Sequence, residues 1–254
     1  MITIVKSVTE WNNIYNSKEL PGRRIGLVPT MGALHAGHLS LIERSIKEND
    51  VTVLSIFVNP TQFNDTEDLK KYPRNLDMDI ELLKKLKVDY VFFPDASEIY
   101  SDDFNYYVEE NNLSKILCGP FRPGHFKGVL TVVMKLLNII KPAKAYFGEK
   151  DYQQLKLIEG MVKAFFLDVE IVACPIIRDD DGLALSSRNA LLSDEERKSA
   201  LNFPKLLKSD KSNMEIKKEL VKLGMNVDYI EEHFGRRFGA VHVGKVRLID
   251  NVRL

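Results

Sequence analysis

Two histidines, His35 and His38, lie in the segment PTMGALHAGHLSLI at residues 29–42. From Gly32 to Gly37 the segment has the two-glycine spacing of a phosphate-binding P-loop, but histidine and leucine follow where that loop requires Lys and Ser or Thr. A histidine can donate a hydrogen bond to a phosphoryl oxygen and stabilise charge that builds up in a transition state. Unlike the lysine of a P-loop, it does not bind the terminal phosphates tightly. The pair therefore favours attack at the α-phosphate of a nucleotide, with pyrophosphate leaving.

Two other interpretations of this histidine pair stay open. Spacing alone is also compatible with two histidines on an ordinary loop that binds nothing. A zinc site is less favoured, because His-x-x-His supplies two ligands and no nearby Cys or acid completes the third and fourth.

Neutral amides follow a second apolar run, in FVNPTQF at residues 57–63. Asn59 and Gln62 are expected at the same sheet edge as the histidines, where amides can bind hydroxyl and carboxylate groups. Asn-Pro is also an ordinary turn signal, so the segment alone is compatible with a simple turn.

A third segment, GEKDYQQL at residues 148–155, follows a strand-like run and opens a helix. Lys150 offers a charge for phosphate, and Gln154, one turn further on, is expected to face the same cleft. The alternative is a solvated helix start in which Glu149 and Asp151 complement the helix dipole.

The fourth segment, LSSRN at residues 185–189, combines the hydroxyls of Ser186 and Ser187 with the guanidinium of Arg188. It ends a polar, glycine-containing stretch, where a moving segment could close over a triphosphate. A helix N-cap or a surface turn is the alternative interpretation.

The elements that position these segments follow from the alternation of β-rich and helical patterns. This alternation is typical of a parallel sheet covered on both faces, which binds ligands at its carboxyl edge. We predict a Rossmann-like doubly wound α/β sheet whose strands are RIGLV, VTVLSIFV, DYVFF, AYFG and VEIVACPII. The segment VLTVVMKLLNII is apolar nearly all round, which predicts a buried helix.

The character of the sequence changes near residue 177, where we place a domain boundary. Residues 1–176 are predicted to form the Rossmann-like domain that binds the ligands, and residues 177–254 a smaller α+β lid domain. Ser193 and Glu196 have the spacing of a capping box. Gly224 marks a helix end, and short strands are predicted at DYIEE, AVHV and KVRLID.

Composition limits the class of partner. The 254 residues include 36 basic and 36 acidic side chains, so no global field favours nucleic acid or an anionic membrane. Cys118 and Cys174 show no CxxC spacing, which suits a reducing cytoplasm better than a disulfide framework. The N-terminal ITIV is too short for a signal peptide, and no apolar run reaches membrane-spanning length. We expect a cytoplasmic protein with small-molecule partners.

Taken together, the segments are far more specific than any one of them. The blocks PTMGALHAGH, SIFVNPTQF, RPGHFKGV, FGEKDYQQL and DGLALSSRN, in this order, with KVRLIDN near the end, resemble the pantothenate synthetase family, also called pantoate:beta-alanine ligase. That family belongs to the nucleotidylyltransferase superfamily, whose His-x-Gly-His signature is similar to HAGH. The LSSRN segment is similar to the mobile phosphate loop of that superfamily.

The resemblance implies ATP-dependent ligation of pantoate and β-alanine through pantoyl adenylate, with release of AMP and pyrophosphate. It implies that residues 1–176 bind nucleotide and pantoate, with catalytic roles for His35, His38 and Lys150. The implied ATP contacts are Met31, His35, His38, Gly148, Lys150, Asp151, Ser186, Ser187 and Arg188, and the implied pantoate contacts are Met31, Gln62 and Gln154. It also implies Mg²⁺ that arrives with ATP instead of a resident metal, and a homodimer.

Some positions fit the family without a defined role, or depart from it. Asp79 fits an acid near the site, and Arg122 and His125 fit a segment at its edge. Asn75 follows YPR where the family pattern has Thr, and the C-terminal part looks short. Two other functions stay open: another nucleotidylyltransferase with a small substrate, and a nucleotide-sensing module that keeps the fold without turnover.

Overall fold

The computed structural model describes residues 2–17, 20–64 and 66–254. The strands are β1 (Thr3–Val5), β2 (Ile25–Thr30), β3 (Val51–Ile56), β4 (Tyr90–Phe92), β5 (Lys144–Gly148), β6 (Glu170–Cys174), β7 (Asn226–His233), β8 (Arg236–Val243) and β9 (Val246–Arg253). The α-helices are α1 (Val8–Tyr15), α2 (Ala36–Glu48), α3 (Thr66–Lys71), α4 (Leu76–Leu86), α5 (Ala96–Ile99), α6 (His125–Ile140), α7 (Tyr152–Ala164), α8 (Asp194–Ala200), α9 (Asn202–Leu207) and α10 (Asn213–Lys222).

Strands β1 to β6 form one parallel sheet in the order β1-β4-β3-β2-β5-β6. From β2 the chain builds outward through β3 to β4, and it then returns to the other side of β2 with β5 and β6. This reversal between β2 and β5 is a topological switch point, which leaves a crevice beyond the carboxyl ends of the strands. The predicted parallel α/β sheet is confirmed.

Helices cover both faces of this sheet. One face packs against α1, α6 and α7, with Trp11, Leu130 and Ile158 in its core. The other packs against α2 and α4, through Ile42 and Leu83. The apolar segment VLTVVMKLLNII lies in α6, which is buried along most of its length as predicted.

The C-terminal part has its own antiparallel sheet, in the order β7-β8-β9. Its core contains Phe203, Leu220 and Val241, so α9 and α10 pack on this small sheet. The capping box at the start of α8 is present, with the Glu196 amide donating to Ser193 Oγ at 3.2 Å. The three strands are each eight residues long, and thus longer than their patterns suggested.

Two N-terminal elements were not predicted. The run ITIV, noted only as too short for a signal peptide, contributes the edge strand β1. Helix α1 begins with a capping box of Ser7 and Glu10, a spacing that is visible in the sequence and could have located it. Within the described residues, no helix combines the length and apolar character needed to cross a membrane.

Candidate active site

The sequence-predicted site residues line one cleft at the carboxyl ends of β3, β2, β5 and β6. These side chains come from segments as far apart as residues 31 and 188, and the switch point of the sheet brings them together. The predicted residues that line the cleft are Met31, His35, His38, Gln62, Gly148, Lys150, Asp151, Gln154, Ser186, Ser187 and Arg188.

The two histidines cap helix α2 reciprocally. His35 is the N-cap residue, and its Nδ1 accepts a hydrogen bond of 3.1 Å from the Gly37 amide. His38 Nδ1 in turn accepts one of 3.4 Å from the His35 amide. Each imidazole therefore uses Nδ1 as an acceptor, and a neutral ring carries its proton on Nε2. Both rings are left with an Nε2–H donor for a ligand.

The cleft keeps both rings neutral. Burial, together with the charge of Lys150, lowers the pKa of His35 to about 4, although Asp151 opposes this. Burial, the neighbouring His35 and Lys150 lower the pKa of His38 to about 3. At neutral pH these histidines are fixed neutral donors at a helix N-terminus, where the backbone already favours an anion.

Position 37 requires glycine for a steric reason that the sequence did not reveal. A Cβ at this position would lie 2.8 Å from Cε1 and 2.9 Å from Nδ1 of His35. The glycine of HAGH thus makes room for the capping imidazole, in addition to any close approach of phosphate.

Asp79 holds the loop between β2 and α2. Its carboxylate accepts from the amides of Ala33 and Leu34, each at 2.9 Å, and only 3% of the residue is exposed. Burial raises the pKa of this carboxyl group, whereas the two amides oppose the rise. Asp79 therefore fixes the entry to the histidine motif and does not itself line the cleft.

The NPTQ turn orients Gln62 in the cleft. Gln62 accepts from Asn59 Nδ2 at 3.0 Å and donates to the sulfur of Met31 at 3.1 Å. Asn59 is buried and also accepts from the Tyr100 hydroxyl, so it serves mainly to orient Gln62. Gly128 lets α6 approach this turn, since a Cβ there would lie 2.5 Å from the Thr61 carbonyl oxygen.

Arg122 and His125 stand against the same turn. His125 Nδ1 donates to the Gln62 carbonyl at 2.9 Å, and its Nε2 accepts from Arg122 at 2.9 Å. Burial and Arg122 lower the pKa of His125 to about 3, which keeps this ring neutral. Burial, Arg188 and Arg247 lower the pKa of Arg122 to about 10, so the guanidinium keeps its charge and can meet an anion in the cleft.

Lys150 and Asp151 lie on a 3-10 turn directly after β5. Their side chains are 3.5 Å apart. Burial alone would raise the pKa of Asp151, but Lys150 and Arg122 hold it below its usual range. Of the two glutamines that follow, Gln154 lines the cleft, whereas Gln153 is buried and bonds to the backbone of Leu113, Ile116 and Cys118.

The LSSRN segment borders the cleft and also caps a turn. Ser186 Oγ accepts from the Arg188 amide at 3.2 Å, which is the capping role considered as its alternative. Ser187 lies 3.1 Å from the Tyr72 hydroxyl, and Arg188 pairs with Asp68 at 2.9 Å. These contacts tie the segment to the opposite wall of the cleft.

Sequence reasoning missed Tyr72 and an apolar wall. Tyr72, the residue before Pro-Arg, packs edge-on against Phe63, with ring centres 5.7 Å apart, and both line the cleft. Helix α6 presents Val129, Val132 and Val133 to it. An all-round apolar helix gives no sequence signal for which residues will face a ligand.

The residues present fit a magnesium ion that is held mainly by a nucleotide. Asp151 is the carboxylate among the described residues that line the cleft. No group of three or more His, Cys, Asp or Glu side chains among those residues could hold a metal. Magnesium bound through one carboxylate, phosphate oxygens and water needs no larger set.

The arrangement can hold an anion and stabilise charge on it. Neutral Nε2–H donors, a helix N-terminus and Lys150 face one cleft, with amides and an apolar wall beside them. Such fixed donors suit displacement at phosphorus, where negative charge develops.

Comparisons with known proteins agree with this geometry. The family described as Pantoate-beta-alanine ligase matches residues 3–253. The chain is 53% identical over 251 residues to a pantothenate synthetase of Legionella pneumophila, which covers 99% of each chain. It is 50% identical over 252 residues to one of Coxiella burnetii, covering 99% of this chain and 97% of the other.

Solved structures of the same family are also similar to this chain. A pantoate-beta-alanine ligase from Francisella tularensis, complexed with Beta-gamma ATP and Beta-alanine, superposes with a TM-score of 0.95 at 43% identity, covering 100% of this chain and 98% of that one. A pantothenate synthetase from Thermus thermophilus gives a TM-score of 0.89 at 39% identity, with 99% of each chain covered. The C-terminal part is therefore not short relative to these proteins, contrary to the expectation from the sequence.

Proposed function

The chain belongs to the pantoate-beta-alanine ligase family, enzymes that make pantothenate from pantoate and β-alanine, and from this premise we propose that it works with ATP in two steps. In the first, a pantoate carboxylate oxygen attacks the α-phosphorus of ATP, the bond to the bridging oxygen breaks, and pyrophosphate leaves. In the second, the β-alanine amine attacks the acyl carbon of pantoyl adenylate, loses a proton, and AMP leaves.

One observation carries this proposal: the histidine pair and Lys150 face the same cleft at the switch point of the sheet. The positive charge of Lys150 acts on both imidazoles. In our proposal His35 and His38 donate from Nε2 to oxygens of the α-phosphate as charge develops there. Lys150, Ser186, Ser187 and Arg188 hold the rest of the triphosphate, beside Met31, Gly148 and Asp151.

Pantoate is assigned to the side of the cleft formed by the NPTQ turn and α7. Gln62 and Gln154 are neutral hydrogen-bonding groups suited to its hydroxyl and carboxylate groups, and Met31 lies against Gln62. The valines of α6 offer an apolar surface for its branched carbon chain. Magnesium bound to ATP would neutralise phosphate charge, with Asp151 within the same cleft.

No covalent enzyme intermediate is needed in this scheme. Cys118 and Cys174 are buried, and neither lines the cleft. The protein contributes orientation, fixed donors and exclusion of water from a hydrolysable mixed anhydride.

Pyrophosphate exchange tests the two-step scheme. With pantoate, ATP and Mg²⁺ but without β-alanine, the protein should exchange labelled pyrophosphate into ATP, because the first half-reaction is reversible and needs no amine. Exchange should require pantoate, and Gln62→Ala should weaken it by removing hydrogen bonds that orient the nucleophile.

The contrary results separate the alternatives. Exchange that appears only with β-alanine would replace the scheme with a concerted or amine-first reaction. Exchange without pantoate would indicate transfer of AMP to the protein. Release of a product that retains AMP would indicate another nucleotidylyltransferase, and ATP binding without turnover would indicate a sensing module.

We also propose that residues 177–254 act as a lid domain on residues 1–176, in a cytoplasmic homodimer. The separate core of Phe203, Leu220 and Val241 supports treating the C-terminal part as a unit of its own. Its packing through Tyr229 and Phe238 into the large core limits how far it can move.

A further inference from the structure

The turn that carries Lys150 is held from the C-terminal sheet. Asn251 Nδ2, on β9, donates to the carbonyl oxygens of Glu149 at 2.9 Å and Lys150 at 3.1 Å. These two successive carbonyls belong to the 3-10 turn between β5 and α7. One side-chain amide thus fixes the orientation of two peptide planes at the point where Lys150 leaves the backbone.

Arg236, on β8, completes this support. One guanidinium nitrogen donates to Asn251 Oδ1 at 2.7 Å, and the other to Glu149 Oε2 at 2.6 Å. The guanidinium also lies 4.3 Å from the ring centre of Tyr152, the first residue of α7. Both the backbone of the turn and the side chain of Glu149 are therefore bound to the same small sheet.

The network is buried and continues toward the predicted domain boundary near residue 177. Arg236 is 4% exposed and Asn251 is 1% exposed. Asp250 accepts from the Asn251 amide at 2.8 Å and is held by Arg178 through two bonds of 2.7 and 2.9 Å. Breaking one member of a buried, fully bonded network leaves its partners unsatisfied, so the arrangement resists displacement.

We infer that Asn251 and Arg236 are positioning residues for Lys150, so that the C-terminal sheet sets where this ammonium group meets the nucleotide. The inference rests on the proposed function, in which Lys150 holds ATP phosphates. A lysine side chain has several rotatable bonds, and its backbone turn is what anchors its direction. A displacement of about 1 Å in a reacting group can cost about a hundredfold in rate.

A double-mutant cycle between Asn251→Ala and Lys150→Met tests this inference in the full chain. Asn251→Ala should lower the pantoate-dependent pyrophosphate exchange rate by about ten- to a hundredfold when Lys150 is present. In the Lys150→Met background the same change should lower it by less than about twofold, because its target is already gone. If exchange is too slow to measure, the Kd for ATP is measured by calorimetry on the same four proteins, and the same comparison is made.

Arg237→Ala is the matched control. Arg237 is the next residue on β8 and is also buried, at 7% exposed, but it bonds to the carbonyl oxygens of Leu207 and Ser209, away from the Lys150 turn. The Arg237→Ala variant should be less stable, but its pyrophosphate exchange rate per folded molecule should be unchanged. Equal losses from Asn251→Ala in both backgrounds, or a matching loss in Arg237→Ala, would overturn the inference. If Lys150→Met changed neither exchange nor ATP affinity, the proposed role of Lys150 would fail first.

Discussion

At the scale of single residues, the site depends on histidines that are kept neutral. When the Nδ1 of a neutral imidazole accepts a hydrogen bond from a backbone amide, the proton must be on Nε2. The Nε2–H donor is therefore available to a ligand without a change of tautomer. The low pKa values of His35 and His38 follow mainly from burial. A neutral donor contributes to the transition state without binding the ground-state phosphates as tightly as a second cation would.

Replacing His38 by alanine should slow adenylate formation by about a hundredfold, near 2.7 kcal/mol, the scale of losing one oriented donor to developing charge. The measurement is the pantoate-dependent pyrophosphate exchange rate. His233→Ala provides a control, since His233 lies on β7 and bonds to Glu231. A folded His38→Ala protein that exchanged at the wild-type rate would remove this histidine from the catalytic set.

At the scale of elements, the position of α2 depends on α4. Asp79, near the start of α4, accepts two amides from the loop that leads into the histidine motif. The helix dipole and the histidines can act only if this loop holds the N-terminus of α2 toward the cleft. We therefore expect Asp79 to act through the loop, without touching the ligand.

Asp79→Asn should disturb this loop, because an amide NH₂ replaces one oxygen that accepts a backbone N–H. Leaving one buried amide unsatisfied costs about 1–3 kcal/mol, which should lower the urea midpoint of unfolding and reduce pyrophosphate exchange. Asp77→Asn on the same helix is exposed and should change neither. If Asp79→Asn lowered stability without affecting exchange, the link from α4 to the catalytic loop would be refuted.

At the scale of the whole molecule, the C-terminal part both packs on the large domain and borders its cleft. The network of Arg236 and Asn251 fastens the small sheet to the Lys150 turn, whereas Ser187 and Arg188 contact Tyr72 and Asp68 on the opposite wall. We therefore expect closure of the proposed lid on ATP to involve mainly the segment of Ser186, Ser187 and Arg188, because the packing of the small sheet limits the movement of the rest of residues 177–254.

ATP with Mg²⁺ should protect residues 177–189 from limited proteolysis, because phosphate contacts with Ser186, Ser187 and Arg188 would hold the segment in place. The measurement is the cleavage rate followed by mass spectrometry. Lys150→Met serves as the control for effects of ATP on the protease itself, since its affinity for ATP should be reduced. Equal cleavage with and without ATP in the unmodified protein would argue against a moving segment.

Local patterns in the sequence determined much of the fold and the composition of the site. Strands such as RIGLV, the buried α6 and the capping box of Ser193 were predictable because hydrophobic periodicity and cap chemistry act over a few residues. The structure brings all the residues that the motif blocks assigned to ATP or pantoate into one cleft, and their roles there stay predictions.

Tertiary structure alone decided which of these residues support one another. The bond from Asp79 to the amide of Ala33 spans 46 positions, and the bond from Asn251 to the carbonyl of Lys150 spans 101. The neutrality of the histidines likewise depends on their burial in the cleft and on Lys150, which lies far away in the chain. Local patterns carry no information on such contacts, because strand order and packing decide which distant groups meet and how much water remains between them.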